Sequence, residues 1–86
     1  METYDTFKQK TPEHLDTNPE VRANYAETTD NAAHLHRLAL DNNHWVKTKV
    51  AANPNTPKEM LQMLSRDPEP LVKHSAIMTL QQLRGE

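Results

Sequence analysis

Apolar residues recur along the chain at the spacing of α-helices. Val21 and Tyr25 lie four residues apart, and so do Val46 and Val50. Residues three or four apart share one face of a helix, whereas a half-buried strand alternates apolar and polar residues. No segment of the sequence shows such alternation beside these helical patterns. The sequence therefore predicts an all-α fold.

Capping residues and prolines predict where the helices begin and end. Asp30 is placed to cap the second helix, and Asn53 ends the third because a residue before proline avoids the α conformation. Thr56 and Glu59 fit a capping box with a proline between them, which is a specific signal for a helix start. Gly85 can terminate the last helix. The predicted helices span about residues 18–27, 31–40, 44–52, 57–66 and 68–84.

The chain repeats itself with a period of 25 to 26 residues. In each copy an aspartate, Asp16, Asp41 or Asp67, lies six residues before a basic residue. Periods of this length are typical of stacked helical repeats. We expect one domain over residues 1–86, with units at about 11–41, 42–67 and 68–85. The repeated bases are Arg22, Lys47 and Lys73, and the two columns expected in the core are Val21, Val46, Val72 and Tyr25, Val50, Ala76.

A turn of the form Asn-Pro-x-Thr-Pro lies in the second unit, at Asn53, Pro54, Thr56 and Pro57. With this turn, the segment 46–73 resembles the leucine-rich repeat variant family. The last segment equally resembles a HEAT-type repeat, in which an aspartate in the turn precedes a valine and a base. The resemblance implies a short right-handed α-solenoid of about two and a half helical-pair repeats.

Cofactor and catalytic chemistry are not expected. The variant-repeat resemblance implies an iron–sulfur cluster ligated by cysteines before the repeats, but the chain has no cysteine, so this cofactor is not carried over. His34 and His36 are two residues apart on a helix and point in different directions, so we expect no metal site. The sequence contains no glycine-rich phosphate loop and no cysteine nucleophile, and we expect that the chain is not an enzyme.

The composition of the chain bears on the size of its core and on its expected location in the cell. Hydrophobic residues make up 35% of the 86 residues, below the roughly 45–50% of an ordinary domain, and predict a thin core. No apolar run exceeds four residues, so we expect neither a signal peptide nor a membrane span, and a cytoplasmic protein. Residues 1–10 contain Tyr4 and Phe7, which would either cover the open end of the stack or belong to a frayed tail.

Charge is distributed unevenly along the chain. The net charge is −2, so attraction of the whole molecule to nucleic acid is not expected. Residues 1–30 contain seven acids and three bases, a net charge of −4, while residues 31–86 contain five acids and seven bases, a net charge of +2. The repeated aspartate and base allow two interpretations. They form either a row of cations along a groove or structural ion pairs within the stack, and we favour the ion pairs.

Trp45 and Lys49 lie four residues apart on one predicted helix and mark the candidate binding face. Aromatic residues beside cations are enriched in recognition hot spots. The alternative for Trp45 is partial burial between units. We expect a non-enzymatic protein-interaction module, an adaptor or an inhibitor of an unidentified protein partner, with binding to a nucleic-acid phosphate backbone as the alternative. The candidate binding residues are Trp45, Lys47, Thr48, Lys49, Lys73 and His74.

The last helix raises the question of self-association. One face of this predicted helix carries Val72, Ala76, Leu80 and Leu83. If Ile77, Leu80 or Leu83 stays exposed, two copies would bury these residues in a weak two-fold homodimer. If the helix turns its apolar side wholly onto the preceding unit, the protein would be a monomer.

Overall fold

A computed structural model describes residues 11–85, and within this range the regular structure is helical. No strand occurs among these residues, and the all-α prediction is confirmed. The predicted role of residues 1–10 as a cap or tail lies outside the described residues. A 3₁₀ turn at Glu13–Leu15 precedes five α-helices: α1 (Pro19–Thr28), α2 (Ala32–Ala39), α3 (His44–Ala52), α4 (Lys58–Leu64) and α5 (Pro70–Leu83).

Asparagine side chains cap the first three helices. The Asn18 Oδ1 atom accepts a hydrogen bond from the Glu20 N–H at 2.9 Å, and Asn43 caps α3 in the same way. In α2 the cap is Asn31, which accepts from the His34 N–H at 3.1 Å. The prediction that Asp30 caps α2 is therefore wrong by one residue, because the neighbouring amide supplies the acceptor.

The capping box predicted at the start of α4 does not form. The Thr56 hydroxyl donates to the backbone oxygen of Val50 at 2.8 Å, so it binds the end of α3. α4 begins at Lys58 behind Pro57, and among the described residues no side chain caps its first turn. Thr56 therefore ties the turn to the preceding helix, while proline supplies the backbone conformation at the start of α4.

The helices stack in two layers. α1, α3 and α5 lie side by side in this order and form the first layer. α2 packs against α3, and α4 packs against α5, so that these two helices form the second layer. The molecule is elongated, with extents of 53 × 24 × 15 Å, as a stack of helical pairs requires. The right-handed twist and the division into units stay predictions.

The core lies between the two layers and along the first layer. Of the two predicted core columns, Val46, Val50, Val72 and Ala76 are completely buried. Val21 and Tyr25, the members from α1, are only partly buried. The short turn Glu13–Leu15 is the neighbour of α1 on this side, and it covers less surface than a full helix would. The second layer contributes the buried leucines Leu35, Leu38, Leu61 and Leu64.

α5 is partly exposed near its C-terminal end. It has 14 residues, against 9 in α3, so its last turns extend past the helix it packs on. Its buried residues are Val72, Ala76 and Thr79, whereas Leu83 is exposed. Of the two alternatives stated for this helix, the one that leaves Ile77 or Leu83 exposed therefore holds. Gly85 follows with φ = +80°, the left-handed conformation predicted to end the helix.

Candidate functional site

The repeated aspartates and bases form ion pairs across the stack. Arg22 binds Asp41 through two hydrogen bonds, with distances of 2.7 Å from Nε and 3.1 Å from Nη2. The Lys47 Nζ atom lies 2.7 Å from Asp67 Oδ2. When each unit is counted from its ladder aspartate, Arg22 and Lys47 therefore each reach the aspartate of the following unit, and the favoured structural interpretation is confirmed for these two bases. We call the three aspartates and three bases the ladder.

The ladder aspartates also shape the turn before each first-layer helix. Asp16, Asp41 and Asp67 each accept a hydrogen bond from the N–H two residues later, at 2.8, 2.9 and 2.9 Å. Burial alone would raise the pKa of Asp67, but the hydrogen bonds from Lys47 and the Glu69 N–H hold this pKa below its ordinary value. Asp67 therefore remains charged at neutral pH, as its pair with Lys47 requires.

Two of the predicted binding residues are less accessible than expected. The Lys47 side chain is partly buried and is held by Asp67. Thr48 is 8% exposed, and its hydroxyl donates to the His44 carbonyl oxygen at 2.7 Å. The predicted place of Thr48 on an exposed face is therefore wrong. Lys47 belongs to the ladder, and Thr48 lies in the packed part of the first layer.

Trp45 and Lys49 do form a pair on α3, in which Trp45 is exposed and Lys49 is partly buried. Trp45 is 47% exposed, and the Lys49 Nζ atom lies 4.8 Å from the centre of its ring, within range of a cation–π interaction. The Glu27 Oε1 atom is 3.8 Å from the same Nζ atom. These contacts hold the lysine beside the indole and leave much of the ring accessible.

The next first-layer helix also exposes apolar residues. Leu71 occupies the position on α5 equivalent to Trp45 and is exposed, as is Met78. We call Trp45, Lys49, Leu71 and Met78 the outer surface. Met78 was not predicted, although its position seven residues after Leu71, about two helical turns, places it on the same face.

Lys73 and His74 are both exposed on α5 but lie on different parts of its surface. His74 lies three residues after Leu71 and four before Met78, so it is a neighbour of both on the helix and borders the outer surface, whereas Lys73 lies only two residues after Leu71 and points in a different direction. Lys73 is the third base of the ladder and has no carboxylate partner among residues 11–85. The predicted binding residues on and beside the outer surface are therefore Trp45, Lys49 and His74, while Lys47, Thr48 and Lys73 lie apart from it.

The Asn-Pro-x-Thr-Pro turn connects α3 to the end of α1. The buried Asn53 Nδ2 atom donates to the carbonyl oxygens of Ala26 at 2.9 Å and Thr29 at 2.8 Å. Its Oδ1 atom accepts from the Asn55 N–H at 2.8 Å. One amide therefore satisfies the last carbonyls of α1 and shapes its own turn. The motif is structural, and it sets the distance between units.

A histidine pair near the N-terminal side of α1 was not predicted. The rings of His14 and His34 are stacked with their centres 3.6 Å apart, and the Tyr25 hydroxyl lies 2.6 Å from His34 Nδ1. The His14 Nδ1 atom is buried without a hydrogen-bond partner in the described part of the chain. Burial, followed by the nearby His34 and Arg37, lowers the pKa of His14 below its ordinary value.

This histidine pair predicts acid sensitivity. Because the folded state lowers the pKa of His14 from 6.5, the unfolded chain binds its proton more readily. Stability is therefore lost as the pH falls below 6.5 toward the folded pKa. We expect His14→Phe, which keeps an aromatic ring on His34, to reduce the fall in urea midpoint between about pH 7 and pH 5. An exposed control, His36→Gln, should keep the wild-type slope, and equal slopes for all three proteins would contradict the prediction.

The described residues contain no group of three or more histidine, aspartate or glutamate side chains that could hold a metal ion. Among the same residues, none of the helices has the length and apolar character needed to cross a bilayer.

One segment of the chain matches the model of a known family. Residues 44–69 match the family model described as leucine rich repeat variant, which spans α3, the Asn53 turn and α4. The resemblance stated from the Asn-Pro-x-Thr-Pro turn is thereby confirmed. This family consists of helical repeat modules that are not catalytic. Searches of curated proteins and of solved structures gave no match.

Proposed function

We propose that this chain is a protein-interaction module that binds its partner through the outer surface. The observation that carries this proposal is the exposed Trp45 ring, held beside Lys49 and accompanied by the exposed Leu71 and Met78 on α5. Large apolar side chains grouped on the surface of a soluble fold are typical of interaction sites. The family match supports the proposal, since the repeats of this family are helical interaction modules.

The outer surface is built on a rigid support. Trp45 and Lys49 lie on α3, whose inner side carries the completely buried Val46 and Val50. Leu71 lies directly before the buried Val72 on α5. Side chains held on packed helices lose little freedom on binding, which increases affinity for a given contact area. The surface fits a partner segment that presents an apolar side chain between Trp45 and Leu71, as an adaptor or an inhibitor would use it.

Binding to a phosphate backbone is the weaker alternative. It relies on the cations of the predicted binding face, Lys47, Lys49, Lys73 and His74, but Lys47 is held by Asp67 and the Lys49 Nζ atom lies 3.8 Å from Glu27. Lys73 is then the only ladder base without a carboxylate among residues 11–85. A single such base and a net charge of −2 give little attraction to nucleic acid.

We expect the Trp45→Ala, Lys49→Ala double variant to lose its partner. In affinity purification from nuclease-treated extract, a protein captured by the wild type should decrease at least about tenfold with this variant, because tryptophan is a typical hot-spot residue. Met63→Ala, which changes an exposed apolar residue on α4, is the matched control and should retain capture. The purified partner should then bind the wild type and the control directly.

Two outcomes would contradict the proposal. Equal capture by all three baits would show that the outer surface is not the binding site. The phosphate-backbone alternative would be favoured if the wild type captured its partner from untreated extract but not from nuclease-treated extract, and if it bound a duplex with a steep dependence on salt.

A further inference from the structure

The side of α5 that faces away from α3 is open within the described chain. Ala23 of α1 and Thr48 of α3 occupy equivalent positions and are buried, but their equivalent on α5, His74, is exposed. A second set of equivalent positions shows the same difference in burial: Ala26 of α1 and Ala51 of α3 are completely buried, while Ile77 of α5 is 39% exposed. Residues at these positions are therefore buried in α1 and α3, each of which is followed by another first-layer helix, and exposed in α5.

The ladder ends on the same side of α5. Arg22 and Lys47 each reach an aspartate of the following unit, 19 and 20 residues later. Lys73 occupies the third position, is exposed, and meets no carboxylate in residues 11–85. We call Lys73, His74 and Ile77 the end surface. By comparison with the two internal junctions, this surface is built to receive an aspartate and a first-layer helix.

The other end of the stack offers the complementary groups. Asp41 and Asp67 each bind a base from the preceding unit, whereas Asp16 forms no ion pair with a described residue. Beside it, Val21 and Tyr25 are only partly buried, although their equivalents on α3 and α5 are completely buried. We call Asp16, Val21 and Tyr25 the start surface.

The order of helices allows one copy to continue into the next. The described chain starts with the turn Glu13–Leu15, preceded by Thr11 and Pro12, which resemble Thr56 and Pro57 before α4. It ends with the first-layer helix α5. A second copy placed beyond α5 would add this short second-layer element and then its α1, so the alternation of layers would be preserved.

We propose that a second copy of this chain docks head to tail, with its start surface on the end surface of the first copy and Asp16 against Lys73. The charges of the two facing groups favour this arrangement, since Asp16 and Lys73 are of opposite sign and neither has an ion-pair partner among residues 11–85. The two-fold dimer, one of the two alternatives that the sequence left open, would place the end surface against itself, so that two copies of Lys73 would approach each other. Like charges at an interface oppose association.

Head-to-tail contact has a distinctive consequence for assembly. The contact is heterologous, so each added copy presents a new end surface and growth does not stop at two. The central pair is electrostatic and partly exposed, so association should weaken as salt is added. The residues that carry this contact and are changed in its test, Asp16, Lys73 and Ile77, are not part of the outer surface, so the two proposals can succeed or fail separately.

Sedimentation of the full chain at low salt, from about micromolar to millimolar concentration, tests the proposal. The wild type should show a mass average that rises with concentration beyond two copies. Lys73→Glu and Asp16→Lys should each remain monomeric, because each brings like charges together. The double variant, Lys73→Glu with Asp16→Lys, should associate again. Lys58→Glu and Glu59→Lys make the same charge changes on exposed positions of α4 and should behave as the wild type.

Further variants keep the test independent of folding and of partner binding. Ile77→Asp should also abolish association, and circular dichroism should show unchanged helix content because Ile77 is already exposed. Trp45→Ala should associate like the wild type. A wild type that stays monomeric to millimolar overturns the proposal. The proposal is also overturned if association stops at two copies and Asp16→Lys associates like the wild type. It is overturned as well if the double variant remains monomeric.

Discussion

Replacing Asn53 by aspartate is expected to destabilise the fold by about 3–5 kcal/mol, the cost of leaving an uncompensated charge in the interior. The Asn53 Nδ2 atom donates to the carbonyl oxygens of Ala26 and Thr29, and a carboxylate offers them only a second acceptor. The hydrogen bond from the Asn55 N–H would survive, since it uses the oxygen that both side chains share. A domain of 86 residues is stable by roughly 4–13 kcal/mol, so this change removes a large part of the total.

The pH dependence of the stability of Asn53→Asp shows whether the loss comes from the charge of the carboxylate or from the shape of the new side chain. The folded state raises the pKa of a carboxyl in this position, so acid restores stability by protonating it and allowing it to donate one hydrogen bond. The stability difference between wild type and variant should therefore shrink as the pH falls from about 7 to 4 in urea titrations. Asn55→Asp, the same change at an exposed position two residues later, is the control and should cost much less. Equal losses at the two positions would show that Asn53 does not hold the units together.

Periodicity predicted the architecture because the repeated positions have repeated surroundings. Val46 and Val72 occupy the same place in successive first-layer helices, and both are completely buried. The Asp-to-base spacing likewise predicted ion pairs, since only a regular stack brings a base and the aspartate of the next unit together. α3 was predicted at its observed bounds, because Pro54 follows it and its valines are four residues apart.

Contacts between distant residues could not be predicted in the same way. His14 and His34 are 20 residues apart and occupy positions that are not equivalent in the repeat, so nothing in the spacing brings their rings together. The hydroxyl of Thr56 had two possible partners, the N–H groups of α4 or the end of α3. The choice depends on how the turn packs, which only the three-dimensional arrangement shows.

The candidate binding face was only partly predictable for a related reason. Alignment of the repeats places Thr48 and His74 in one column, but equivalence in the repeat does not give equal exposure. Thr48 is followed by another first-layer helix and is buried, whereas His74 lies on the open side of α5. Lys47 was predicted both as a ladder base and as a binding residue, and its side chain is partly buried in the ion pair with Asp67.

The second large effect on stability is expected from truncating a leucine of the thin core. Leu64 is 1% exposed and belongs to the main hydrophobic cluster between the layers, where Met60 from the previous turn also packs. We expect Leu64→Ala to reduce the free energy of unfolding by about 2–5 kcal/mol, from lost burial and the cavity left behind. Few large side chains are buried in the described chain, so the residues around Leu64 can fill little of that cavity. The measurement is urea denaturation followed by circular dichroism.

The adjacent Met63 provides the control for this prediction. Met63 is 36% exposed, and Arg37, the residue at the equivalent position of the first repeat, is exposed as well. Met63→Ala changes the same helix by a similar volume, and both variants end in alanine, so their helix propensities differ little. We expect this control to cost far less than Leu64→Ala, since surface substitutions usually change stability by about 0.5 kcal/mol or less. Equal costs for the two variants would mean that the second layer does not pack on the first through Leu64, and the two-layer stack would have to be rebuilt from another face of α4.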